Sequence, residues 1–154
     1  MLLAGLRASE AAGLLVRDWQ PGEDPKVTVR SARRERKIRV APSAAATIDA
    51  YLSGEDTEPD EPLFLGLKVQ GVRHMLPSLF HEVMERGGWD VGVHDLRRAA
   101  VAAALEAVTP MQHVETYFGI SKADPGRRDL LSIREGYDQE IAAVLEKAFG
   151  GCES

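Results

Sequence analysis

His94-Asp95-Leu96-Arg97-Arg98, followed by Ala99-Ala100-Val101-Ala102-Ala103-Ala104-Leu105, is the stretch that decides how this chain folds. Alanine and leucine are strong helix formers, so the run predicts a helix from Asp95 to Val108. His94 and Arg97 stand three residues apart, which on a helical turn puts both side chains on one face. An imidazole that titrates near neutrality beside an always-charged guanidinium is a pair suited to gripping an anion. Alone, such a pair is more often a cap or an ion pair, and the rest of the chain has to give it weight.

On the C-terminal side, Thr109-Pro110 opens a helix that runs to Phe118 and stops at Gly119. After a loop around Asp124-Pro125-Gly126, a long final helix is expected from about Arg127 to Phe149. Leu130, Ile133, Tyr137, Ile141, Val144 and Ala148 form one stripe along it, so by periodicity Tyr137 reads as core. On the N-terminal side, Val72 to Arg86 has helical spacing with a kink or true start at Pro77, and Gly87-Gly88 closes it. Leu63-Phe64-Leu65 reads as a short edge strand, and Pro42-Ser43 opens a helix through Leu52. Lys26-Val-Thr-Val-Arg30 alternates and is β-branched, and pairs with Arg36-Lys-Ile-Arg-Val40 as a hairpin, preceded by a turn-rich connection from Asp18 to Pro25. Leu2 to Trp19 reads as a helix interrupted near Gly5, with Ser9 as N-cap of its second part. The sum is an α+β chain, mainly helical, with a small antiparallel β-hairpin sheet and one domain over residues 1–150.

The 154 residues carry 44% hydrophobic and 28% charged side chains, the profile of a globular chain with no apolar run long enough to span a bilayer. Cys152 is the only cysteine and Met1 to Leu6 lacks the pattern of a signal peptide, so an intracellular protein without disulfides is expected. The net charge of -5 speaks against a nucleic-acid binder, but its distribution is uneven. Residues 30–39 hold six cations (Arg30, Arg33, Arg34, Arg36, Lys37, Arg39) against Glu35, and residues 55–61 hold five acids. One cationic face and an acidic loop elsewhere are expected, although a basic hairpin is as often a solvated edge strand protected by charge. His81-Glu82-Val-Met-Glu85 lacks the second histidine of a zinc-protease helix, His74 and His113 give no ligand spacing, and Gly66 to Gly71 is no phosphate loop.

Four segments, in order, resemble the catalytic domain of the tyrosine recombinases (phage-integrase type). Gly5-Leu6-Arg7-Ala8-Ser9-Glu10 with Gly13-Leu14 is similar to the family's first arginine segment. Arg33-Arg34-Glu35-Arg36-Lys37-Ile38-Arg39-Val40-Ala41-Pro42 matches the last half of its lysine hairpin. His94-Asp95-Leu96-Arg97-Arg98 is similar to its histidine–arginine box, and Tyr137 follows on a helix beyond the Gly119 turn.

The resemblance implies DNA strand cleavage and rejoining through a 3′-phosphotyrosine, in the recombination or integration of a bacterial mobile element. Arg7, His94 and Arg97 would bind and activate the phosphate, Arg34 or Lys37 would assist the leaving group, and Tyr137 would attack. Arg30, Arg33, Arg36, Arg39 and Arg98 would meet the DNA backbone. No metal or other cofactor enters that chemistry. Double-stranded DNA is the implied partner, a homo-oligomer (a tetramer, by the family's habit) the implied assembly, and the cytoplasm, at the nucleoid, the implied place. Type IB topoisomerases share the pocket chemistry, but the short hairpin and compact box spacing look more like the recombinases.

Three departures follow. Arg34 stands where the family has its hairpin lysine, and a guanidinium stabilises charge but is a poor proton donor. Phe118-Gly119-Ile120 has isoleucine where the family has a histidine or tryptophan, so one phosphate donor is missing. Tyr137 comes late, and Arg7 stands almost at the start, so the helical DNA-clamping domain is expected to be absent and core near Leu2, Leu3 and Leu6 to lack cover. The alternative is a catalytically inactive DNA-binding or interaction remnant of the same fold.

Overall fold

The computed structural model describes residues 2–31, 34–54, 56–64, 87, 92–107, 109–120 and 135–150, with backbone only at Leu2, Ser31, Arg34 and Val93. A 3-10 turn at Leu2–Ala4 leads through Gly5 into α1 (Ala8–Ala12). A second 3-10 turn, Val16–Asp18, feeds β1 (Trp19–Gln20), followed by β2 (Lys26–Ser31), β3 (Arg34–Arg39) and α2 (Pro42–Ser53). Beyond these come α3 (Val93–Glu106), α4 (Met111–Phe118) and α5 (Tyr137–Phe149). The fold is therefore mixed α+β, mainly helical, with one small antiparallel sheet.

That sheet has three strands in the order β1-β2-β3, one more than the hairpin expected. The added strand is two residues long, Trp19 opposite Val27 and Gln20 opposite Lys26, too short to show as alternation. In the hairpin proper Val27 faces Ile38 and Val29 faces Arg36. Val27, Val29, Ile38 and Val40 are buried on the inner face, where period-two alternation puts them. They meet Ala100 and Ala104 of α3, Val114, Tyr117 and Phe118 of α4, and Ile141 and Leu145 of α5 in one cluster. Each such aliphatic side chain contributes about 1.5–3 kcal/mol by leaving water.

Polar contacts fix the outer elements. Trp19 Nε1–H donates to Asp49 Oδ1 at 2.8 Å, tying the sheet edge to α2. The Ser43 amide and hydroxyl both donate to Glu146 Oε2, at 3.0 and 2.8 Å, so a carboxylate of α5 caps the N-terminus of α2, where the helix dipole favours an anion. Leu3 is half-buried and Leu6 buried, and both line an apolar cavity of about 230 Å³ with Leu14, Val40, Ile48 and Phe64.

Helix starts differ from expectation wherever an acid three residues in reaches back. The Arg7 amide donates to Glu10 Oε2 at 2.9 Å, so α1 begins at Ala8 rather than after Ser9. The Gly92 amide donates likewise to Asp95 Oδ2 at 2.8 Å, drawing the start of α3 back to Val93. Pro62 forms an isolated bridge with Leu15, and Leu63 and Phe64 belong to no strand. The helix expected over residues 72–86, the loop expected at 124–126 and residues 127–134 lie outside the described residues, as does Arg33. The final helix, expected from about Arg127, begins at Tyr137, because Glu135 and Gly136 form a turn with Gly136 at a left-handed φ of 82°.

Candidate anion site at the end of helix α4

Helix α4 ends at Gly119, whose φ of 63° and ψ of 42° are left-handed, a conformation that favours glycine. The last carbonyls of a helix have no partner within it and carry the negative end of its dipole. Here three consecutive ones each accept from an arginine of a different segment. Arg36 Nε donates to Tyr117 O at 3.0 Å, Arg97 Nη2 to Phe118 O at 2.5 Å and Arg7 Nη2 to Gly119 O at 3.0 Å. Arg97 Nη1 also donates to Gly5 O at 2.5 Å, and its guanidinium lies 5.9 Å from the centre of the Phe118 ring.

Glu10 sits among the three cations and is buried. Arg36 holds both its oxygens in a fork, Nη1 to Oε1 at 2.9 Å and Nη2 to Oε2 at 3.0 Å. Arg7 Nη1 reaches Oε1 at 3.3 Å, and Arg97 Nη1 stands 3.7 Å from Oε2. Burial pushes the Glu10 carboxyl up, but the bonds from Arg36 and the Arg7 amide and the charges of Arg36 and Arg7 outweigh it and hold it below its ordinary value. Among the described residues three guanidinium groups meet one carboxylate, an excess of positive charge. Arg97 registers the excess: burial first, then repulsion from Arg7 and Arg36, lower its pKa to about 10 against the pull of Glu10. It stays charged at neutral pH, in surroundings that an added anion would relieve. The side chain of Arg7 is 44% exposed, whereas those of Arg36 and Arg97 are 12% and 11% exposed. The cluster thus opens to solvent on the side of Arg7.

The other residues singled out by the sequence are spread more widely. His94 is exposed on the first turn of α3, so the three-residue spacing gives it the side of Arg97 but not its depth. Tyr137, the first residue of α5, packs its ring on that of His113, with centroids 5.6 Å apart and planes at 41°. Burial and the neighbouring Asp138 raise its phenol pKa above 10.0, while Arg36 pulls it the other way. Lys37 is exposed and has the opposite strand parity to Arg36, so it faces away from the cluster; Arg34 shares the parity of Arg36, with its side chain outside the described residues. Ile120 is exposed just past Gly119.

Most hairpin cations whose side chains are described are paired within the chain. Arg30 pairs with Asp18 and Glu35, and Arg39 with Asp24. Arg36, expected at the DNA backbone, lies half-buried in the cluster, paired with Glu10. Arg98 remains on the surface, its side chain 82% exposed beside Asp95.

Sequence reasoning gave Glu10 no role and Arg36 a peripheral one. The signal for Arg36 was available: it shares the parity of Ile38 and Val40, the apolar face of the hairpin. Glu10 carried none beyond its place three residues after Arg7.

A comparison with protein-family models finds no match, and a comparison with curated proteins finds none. Among the described residues no helix is long and apolar enough to cross a membrane, and no group of three or more His, Cys, Asp or Glu could hold a metal ion.

Proposed function

We propose that this chain is the catalytic domain of a tyrosine recombinase-type DNA strand transferase, with the cluster at the end of α4 as its phosphate site. The observation that carries the reading is the meeting of Arg7 and Arg97, 90 positions apart in sequence, on adjacent carbonyls of one helix end. Fixed donors of that kind stabilise the charge that builds on non-bridging oxygens. In the proposed reaction His94 takes the phenol proton of Tyr137, the Tyr137 oxygen attacks phosphorus and the bond to the 5′-oxygen breaks. Arg34, which shares the strand parity of Arg36, stabilises the charge that develops on that oxygen, and it leaves as the 5′-hydroxyl with a proton from water. A 3′-phosphotyrosine remains, and the reverse reaction rejoins a strand. Double-stranded DNA, assembly of several copies on it and a place at the nucleoid come with the reading.

Incubation with a nicked suicide duplex tests it. A covalent protein–DNA adduct that Tyr137→Phe abolishes supports the enzyme, and no adduct on any cognate site sinks it. One observation favours a second reading, an inactive DNA-binding form of the same fold: the Tyr137 ring lies tilted against that of His113 with its phenol pKa raised, where a nucleophile gains from a lowered one. That form binds DNA in a salt-sensitive way and gives no adduct.

A further inference from the structure

The hairpin supplies the cluster with an arginine to which the mechanism above gives no task. Arg36 spends its fork on Glu10 and its Nε on Tyr117 O, and its side chain is 12% exposed. Its Nε, Nη1 and Nη2 are all taken up by these contacts, so it is not the group that meets a ligand. What it does is occupy Glu10. With both carboxylate oxygens held by Arg36, Arg97 is left at 3.7 Å and Arg7 with one side-chain contact of 3.3 Å. Take Arg36 away and the same carboxylate is free to swing into a fork with Arg7 or Arg97, replacing an external anion with an internal one.

We propose that Arg36 is a positioning residue, a third arginine that sequesters Glu10 and so keeps Arg7 and Arg97 available to an anion of the phosphate class. The inference rests on reading the cluster as a phosphate site. A lysine could not do this work, because one ammonium cannot hold two carboxylate oxygens and a carbonyl in a planar fork. Gly119 belongs to the same device. A Cβ there would come within 3.0 Å of Arg36 Nη1, and φ is 63°. The turn that ends α4 is therefore shaped to admit this guanidinium.

The test uses the full chain with ¹⁵N-labelled arginine, inorganic phosphate as the probe, and the variants Arg36→Lys, Gly119→Ala and Arg36→Gln/Glu10→Gln. In wild type, phosphate shifts the Nε–Hε resonances of Arg7 and Arg97. In Arg36→Lys those resonances move before any phosphate is added, and phosphate binds about tenfold more weakly, the loss of one charge-assisted contact. Gly119→Ala displaces Arg36 without deleting it and shifts both in the same direction, which covers the case in which Arg36→Lys does not fold. The paired variant removes the competing carboxylate along with its keeper and recovers phosphate binding, a rescue that a merely structural role for Arg36 would not produce. Unchanged Arg7 and Arg97 resonances in the ligand-free variants, or no rescue in the pair, overturn the positioning role. A wild type that shows no phosphate-dependent shift overturns the phosphate reading itself, while the ligand-free spectra still judge whether Arg36 positions its neighbours.

Discussion

Gly5 and Phe118 lie so close that a Cβ on Gly5 would stand 2.0 Å from Cε1 of the phenylalanine ring, at a residue whose φ is 57°. The two meet where the first arginine segment crosses the end of α4. Gly5 also presents its carbonyl to Arg97, so the contact holds the floor of the anion site. Gly5→Ala must both strain the backbone and push the ring aside. A loss of about 3 kcal/mol is expected, summing a left-handed alanine and an overpacked core. Urea unfolding measures it, and a midpoint within error of wild type would contradict the geometry.

Glu10 makes stability depend on acid. Its carboxyl is held below the ordinary value of 4.5 in the folded chain, so the stabilisation is fully present above about pH 4.5 and is lost as pH falls through the folded value. Glu10→Gln leaves three guanidinium groups without their counter-charge and is expected to lose about 3–5 kcal/mol at pH 7. It should also lose less than wild type on further acidification. Unfolding at pH 7 and pH 3.5 gives both numbers, and equal acid slopes in the two proteins would refute the assignment.

Tyr117 governs the alkaline side. Its hydroxyl donates to Arg39 O at 2.6 Å from full burial, and burial, with smaller contributions from Asp138 and Tyr137, pushes its pKa well above the ordinary 10.0. A group raised on folding stabilises fully below its unfolded pKa and loses that contribution as pH rises, here from about pH 10 upward. Tyr117→Phe should lose about 1–3 kcal/mol at neutral pH, leaving a strand carbonyl without its donor. Its stability should then fall less steeply than that of wild type between pH 10 and 12, as followed by circular dichroism.

DNA binding, if the proposed function holds, draws on fewer cations than composition suggests. Arg30 and Arg39 already face acids of this chain, whereas Lys37 and Arg98 are exposed. Replacing Lys37 or Arg98 by glutamine should each lower the slope of log K against log salt by about 0.9, the share of one phosphate contact. Arg39→Gln should leave the slope nearly unchanged. Fluorescence anisotropy across a salt series separates these, and a larger slope change for Arg39 than for Arg98 would mean that the internal pairs open on DNA.

The periodic parts of this architecture were legible in the residues. Val27, Val29 and Ile38 announced the hairpin by alternation, the alanines after Arg98 announced α3, and Gly119 announced the end of α4. Arg7 and Arg97 were both singled out and end on neighbouring carbonyls. Arg36 escaped because it was counted with the exposed charge run of the hairpin, although it shares the parity of Ile38, and Glu10 because a lone acid on a short helix shows nothing of its tertiary partners. Two residues 26 positions apart give no sign in sequence that they will cancel. β1 escaped because two residues cannot show a period, and Ser9 misled because the cap of α1 came from an acid inside the helix rather than from a hydroxyl before it.

The three carbonyls that end α4 take their arginines from positions 81, 21 and 112 residues away along the chain. Contacts that bridge such separations form only after the intervening loops have closed, so their entropy is paid late in folding. A partly folded chain, even one with its sheet and helices in place, would have no assembled pocket. The anion binding proposed for this cluster would then act as a proofreading step, because only the finished molecule presents all three arginines.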